Sequence, residues 1–137
     1  MANDIRWQQR FQNFEKAFSR FKEALEEEEL TELERNGLVK RFEFTLELGW
    51  KTLKDYMQDQ GLTFQLTPKG TLRQAQQSGF IDYAQVLIDA VEVRNSLAHD
   101  YDGEKFEEAE VSIREEIFPA LEKLLKFFMA QVRKNPK

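Results

Sequence analysis

The chain has 137 residues, one histidine and no cysteine, and its formal net charge at pH 7 is −5. This length predicts a single domain over residues 1–137, and the lack of cysteine excludes disulfides and thiolate metal sites. Charged residues make up 33% and hydrophobic residues 41%, which is typical of a folded globular protein, and the negative net charge argues against general coating of nucleic acid.

Nothing in the sequence indicates a membrane protein. No stretch approaches the ~18 consecutive apolar residues that a spanning helix needs. Residues 1–5 include an acid and are not followed by the apolar run of a secretory signal. We therefore expect a soluble cytoplasmic protein without a membrane partner.

The first predicted element is an amphipathic helix over residues 3–27. Its apolar residues alternate at spacings of four and three, which places them on one face. They are Trp7, Phe11, Phe14, Phe18, Phe21 and Leu25. The four glutamates at positions 26–29 predict a solvated end to this helix.

The second predicted helix begins after Thr31, which forms a capping-box pattern with Glu34, and it ends near Gln60 before Gly61. Gly49 lies in the middle of its apolar face, which indicates a close crossing with another helix. That face also holds Leu38, Phe42, Thr45, Leu46, Trp50, Leu53, Tyr56 and Met57. A second row at four-residue steps is interpreted as solvated ion pairs and consists of Glu43, Glu47 and Lys51.

A short third helix is predicted from Thr67 as N-cap and Pro68 at the first helical position to Gln77. Lys69 and Arg73 lie one turn apart on it. They are candidate contacts for a phosphate of RNA or a nucleotide, although two solvent-exposed cations are the simpler interpretation.

The fourth helix is predicted to be capped by Asp82 and to continue to about residue 99, and the last to run over residues 105–133 with a kink at Pro119. The whole pattern predicts an all-α, up-and-down bundle of four long helices plus one short helix. No metal-ligand spacing and no Gly-rich phosphate loop occurs in the sequence, so we expect neither a metal nor a cofactor.

The end of the fourth helix holds the most informative residues, which are Arg94, Asn95, His99 and Tyr101. Residues five apart on a helix point ~140° away from each other, yet an arginine is long enough to bend back toward the imidazole. The C-terminus of a helix favours a cationic imidazolium. On chemistry alone these residues form either a structural hydrogen-bond cluster or a small catalytic site.

The pattern Arg94-Asn95-x-x-x-His99-x-Tyr101 resembles the motif of the HEPN family, in particular of HepT-type toxins that are paired with minimal nucleotidyltransferases. The segment 41–51, RFEFTLELGWK, is similar to the second helix of the same proteins. The resemblance implies a homodimeric ribonuclease toxin with Arg94 and His99 as catalytic residues and Asn95 in support. It also implies a cognate nucleotidyltransferase antitoxin that silences the toxin by transferring AMP to Tyr101.

A composite site across the homodimer would make such a ribonuclease independent of metal. One His99 would deprotonate the 2′-hydroxyl of the RNA and the other would protonate the leaving oxygen, while the two Arg94 side chains hold the phosphate. The alternative within the same resemblance is a non-catalytic subunit that binds the nucleotide or substrate for a two-component minimal nucleotidyltransferase. Arg94 and His99 would then hold a nucleotide phosphate.

Overall fold

The computed structural model describes residues 2–99 and 103–134, with side chains described for residues 6–97 and 105–134. Within these ranges the regular structure is entirely helical. The helices are α1 (Ala2–Leu25), α2 (Glu32–Asp59), α3 (Pro68–Gln77), α4 (Ala84–His99), α5 (Gly103–Ser112) and α6 (Phe118–Lys134), with a π-helical turn (Ile113–Ile117) that joins α5 to α6 without a break. The predicted all-α bundle of four long helices and one short helix is confirmed. None of the helices in the described ranges has the length and apolar character needed to cross a bilayer.

The ends of α2 and α3 follow the predicted capping chemistry. The Thr31 hydroxyl accepts from the Glu34 amide at 3.2 Å, and the Glu34 carboxylate accepts from the Thr31 amide at 2.9 Å. After α2, Gly61 adopts a φ of +86°, a backbone conformation that glycine reaches without steric cost. The capping box therefore begins α2, and the turn at Gly61 ends it and directs the chain toward α3.

The core is built around the aromatic face of α1, which packs along α2 and α6. Trp7, Phe14 and Phe21 are fully buried, as the spacing predicts. The predicted close crossing at Gly49 is also confirmed, because a Cβ atom there would lie 3.1 Å from Phe14 Cε1 and 3.2 Å from Leu124 Cδ2.

The start of α4 differs from the prediction. The helix begins at Ala84, so the N-cap position falls on Tyr83 and the prediction for Asp82 is wrong. The Ala84 amide instead donates to the side-chain oxygen of Gln76 at 3.0 Å. An acceptor from α3 replaces the local cap, which ties the short helix to the helix that carries the motif.

The irregularity expected at Pro119 takes the form of the π-helical turn directly before it. Proline has no backbone N–H and its ring crowds the carbonyl four residues earlier. In the π turn the Phe118 amide donates to the Ile113 carbonyl, five residues back instead of four. The wider turn accommodates the proline while α5 and α6 remain continuous.

Candidate functional site

α4 carries the predicted catalytic residues in its last turns. Arg94 and Asn95 precede the final turn, and the helix ends at His99 as predicted. Arg94 is half-buried and Asn95 is exposed. The His99 side chain and all of Tyr101 lie outside the described residues, so the roles assigned to them remain predictions.

Arg94 lies where three helices meet. It lines a recess of about 10 Å³ together with side chains of α2, the first residue of α3 and one residue of α4, namely Leu46, Glu47, Trp50, Pro68 and Val91. A space of that size holds about one water-sized sphere. A recess of this size does not enclose a ligand, so any ligand would meet Arg94 from outside.

The two predicted phosphate contacts on α3 have different surroundings. Lys69 donates to the Glu92 carboxylate, which lies two residues before Arg94 on α4. This ion pair brings Lys69 to the motif helix but compensates its charge. Arg73 is exposed one turn further along α3. Neither observation tests the proposed contact with phosphate.

The predicted ion-pair row on α2 is found in part, because Glu47 pairs with Lys51 as predicted whereas Glu43 pairs with Lys40, outside the row. Lys51 lies 3.4 Å from Glu47, and Lys40 lies 3.8 Å from Glu43. These pairs are partly exposed, so they contribute little to stability. Glu47 also places a negative charge beside the recess of Arg94.

A groove of about 330 Å³ runs between α4 and α5 next to the motif helix. Its lining includes two carboxylates, from Glu92 and Glu108, and one ammonium group, from Lys105. The remaining lining residues are Val93, Ser96, Leu97, Ala109 and Ser112. Two carboxylates against one cation oppose the binding of a phosphate in this groove.

Two features were not found from the sequence. One is a basic groove of about 300 Å³ between α1 and α2, to which Lys16, Arg20 and Arg41 contribute. The other is an ion pair between Arg10 and Asp55, 2.7 Å apart, in which the Asp55 side chain is only 2% exposed. Each joins residues from different helices, so no local spacing in the sequence marks it.

Comparison with known proteins agrees with the resemblance at the level of the family. The sequence model of the family described as nucleotidyltransferase substrate binding protein like matches residues 9–130. The chain belongs to this family. The matched range reaches from α1 into α6 and includes the Arg94, Asn95, His99 and Tyr101 motif.

A solved structure has the same fold. The crystal structure of a protein from Thermus thermophilus superposes with a TM-score of 0.72 and 28% sequence identity, covering 88% of this chain and 98% of that one. No curated protein gives a significant match. The family of substrate-binding-like proteins is thus established for this chain, and the narrower assignment to HepT-type toxins remains a prediction.

Proposed function

We propose that the chain is the substrate-binding subunit of a two-component nucleotidyltransferase, in which a separate small nucleotidyltransferase performs the catalysis. The observation that carries this proposal is the family match over residues 9–130. It favours the binding subunit over the ribonuclease, the two interpretations that the motif alone leaves open.

The position of Arg94 supports a role in phosphate recognition. Its side chain is half-buried and lines the recess between α2, α3 and α4, and a guanidinium binds a phosphate through two parallel hydrogen bonds. His99 ends the same helix and would add a further donor, with exposed Asn95 beside it. The substrate would then be a nucleotide or another phosphate-bearing molecule presented to the partner.

The test uses a small nucleotidyltransferase from the same genome, the partner that this proposal requires. We expect the two proteins to co-elute and nucleotidyl transfer to require both. Arg94→Ala should lower the transfer rate by at least about tenfold, the size of a lost charge-assisted hydrogen bond, and leave the complex intact. Lys126→Ala, which removes an exposed cation from α6, is the matched control. Failure of the proteins to associate, or an equal rate for Arg94→Ala and wild type, contradicts the proposal.

The second candidate function is the metal-independent ribonuclease toxin. It is favoured by the spacing of Arg94 and His99, which α4 carries on one helix end. In a homodimer the 2′-oxygen would attack phosphorus as one His99 takes its proton, and the 5′-oxygen would leave with a proton from the other His99. The products are a 2′,3′-cyclic phosphate and a 5′-hydroxyl.

Cleavage of RNA in the presence of EDTA separates the two candidates. The ribonuclease requires that wild type cuts while His99→Ala and Arg94→Ala do not, with all three proteins eluting as the same oligomer. If wild type does not cut RNA and mass spectrometry shows that its Tyr101 is unmodified, the ribonuclease is excluded and the proposal of a binding subunit stands.

Under the toxin interpretation the partner would modify Tyr101. The phenol oxygen would attack the α-phosphate of ATP, forming a tyrosyl-AMP ester and releasing pyrophosphate. The other two tyrosines are less readily ionised, since burial and then the Asp82 carboxylate raise the pKa of Tyr83, and burial and then Asp59 raise the pKa of Tyr56. Incubation with the partner and ATP should add one AMP to wild type and none to Tyr101→Phe. A labelled Tyr101→Phe contradicts this assignment.

A further inference from the structure

The groove between α1 and α2 combines positive charge with an exposed aromatic ring. Its volume is about 300 Å³, at the lower end of the ~300–1,000 Å³ usual for ligand pockets. One wall is a single face of α1 and the other a single face of α2, and the lining residues are Asn13, Lys16, Ala17, Arg20, Arg41, Phe44 and Leu48. Three of these residues are cationic and none is acidic, in a chain whose net charge is −5.

The walls of the groove are held by a hydrogen-bonded contact between the two helices. The Thr45 hydroxyl is fully buried and lies 2.7 Å from the Arg41 carbonyl and 3.2 Å from the Ala17 carbonyl. The small side chain of Ala17 leaves the space that the larger residues on either side enclose. The groove is therefore a feature of the packed bundle and does not depend on long surface side chains alone.

Phe44 is the unusual member of the lining. Its side chain is 60% exposed, whereas Phe42, on the apolar face of the same helix, is fully buried. Burying an aromatic ring in a core stabilises a fold by several kcal/mol. Because the Phe44 ring is mostly exposed, it contributes little of this stabilisation. A ring exposed beside guanidinium groups is the arrangement with which proteins stack a nucleic-acid base while cations hold its phosphates.

The cations of the groove are also available to a ligand. Within residues 6–97 and 105–134, Arg10, Lys40, Lys51, Lys69 and Arg114 are among the basic residues in ion pairs, whereas Lys16, Arg20 and Arg41 form none. A phosphate chain would meet three cations with no carboxylate in the lining to displace.

We propose that this groove binds a nucleoside triphosphate, with the base stacked on Phe44 and the phosphates held by Lys16, Arg20 and Arg41. The Asn13 amide offers both a donor and an acceptor to the edge of a base. A mononucleotide fits better than single-stranded RNA, because RNA-binding surfaces stack successive bases on several aromatic rings. The groove offers one ring.

This site goes beyond the proposed function because it lies on a different side of α2. The Arg94 recess uses Leu46, Glu47 and Trp50, whereas the groove uses Arg41, Phe44 and Leu48. At ~100° per residue the two sets point roughly 140° apart around the helix. A nucleotide in the groove therefore does not compete with a ligand at Arg94. The proposal for the groove and the proposal for Arg94 can each be refuted without refuting the other.

Titration calorimetry of the full chain with ATP tests the site. We expect saturable binding by wild type, weakened by roughly tenfold or more in Arg20→Ala and Arg41→Ala through loss of charge-assisted contacts. Phe44→Ala should weaken the binding of ATP roughly tenfold because the base loses its stacking partner, while the affinity for inorganic tripolyphosphate stays unchanged. Lys22→Ala, which removes another exposed cation of α1 outside the groove, should bind ATP like wild type.

Four results would overturn the proposal. The first two are that wild type does not bind ATP saturably, or that Arg41→Ala binds ATP as tightly as wild type. The third is that Phe44→Ala loses affinity for tripolyphosphate and for ATP to the same extent. The fourth is that the protein binds single-stranded RNA but does not bind ATP. Loss of ATP binding in Arg94→Ala but not in Arg41→Ala would assign the nucleotide to the motif instead. Circular dichroism of each variant verifies that it retains the helical fold.

Discussion

Two glycines of α2 show how differently the same substitution acts at two positions. A Cβ atom on Gly37 would meet nothing within 4 Å, whereas one on Gly49 would press on Phe14 and Leu124 at 3.1 and 3.2 Å. Gly37→Ala should raise the free energy of unfolding by ~0.8–1 kcal/mol through helix propensity. Gly49→Ala should lower it by about 1–3 kcal/mol through overpacking. Urea denaturation measures both, and a Gly49→Ala variant at least as stable as wild type would contradict the close crossing.

The buried carboxylate of Asp55 is the second prediction at the scale of single residues. Arg10 Nε donates to it at 2.7 Å, and the carboxylate is nearly inaccessible to water. Arg10→Ala should lower the free energy of unfolding by about 2–4 kcal/mol, because it leaves a buried charge without its partner. The double variant Arg10→Met/Asp55→Leu should recover part of that loss. An Arg10→Ala variant as stable as wild type in urea denaturation would show that the ion pair does not matter.

Asp55 also marks a limit of sequence reasoning about single residues. The 3.6-residue period predicts most of the apolar residues of α2 that are buried, but it misses buried Val39 and includes Trp50, which is half-buried. It does not predict a buried acid, since an aspartate ordinarily indicates the solvated face. The partner that makes burial possible, Arg10, lies 45 residues away on another helix.

At the scale of elements, the last helix shows what a local pattern leaves out. Proline at 119 predicts a disturbed hydrogen-bond ladder, but not the π turn or its consequence for α1. Arg114, within that turn, donates at 2.7 Å to the carbonyls of Leu25 and of Glu27, where α1 ends. Its Nε also donates to Glu110 at 2.8 Å. These contacts join positions nearly ninety residues apart, so only the tertiary structure reveals them.

The Arg114 contacts predict a local effect on α1. Arg114→Ala should lower the free energy of unfolding by about 1–3 kcal/mol, because two carbonyls lose a charged donor. Arg114→Lys should restore little, since one ammonium does not reproduce the planar fork that reaches both carbonyls. Hydrogen exchange should accelerate at residues 22–27 and not in α3. Arg133→Ala, an exposed cation in the last turn of α6, is the control. Unchanged exchange at the end of α1 would refute the capping role.

At the scale of the whole molecule, the sequence predicted the class and order of the helices and placed Arg94 and His99 on one helix end. Those properties follow from periodicity, capping residues and spacing, which are local. The basic groove does not, because Lys16 and Arg41 become neighbours only through the pairing of α1 with α2. The net charge of −5 therefore gives no indication that three cations lie together on one surface.

The ribonuclease candidate predicts how mixed assemblies behave. If each active site needs both His99 side chains of a homodimer, equal amounts of wild type and His99→Ala leave only about a quarter of randomly exchanged dimers intact. RNA cleavage should then fall to about a quarter of the rate of wild type at the same total concentration. Chains that act independently would retain about half. A rate near half after verified subunit exchange would exclude the two-histidine site, whereas a rate near a quarter would establish that the catalytic unit is the dimer.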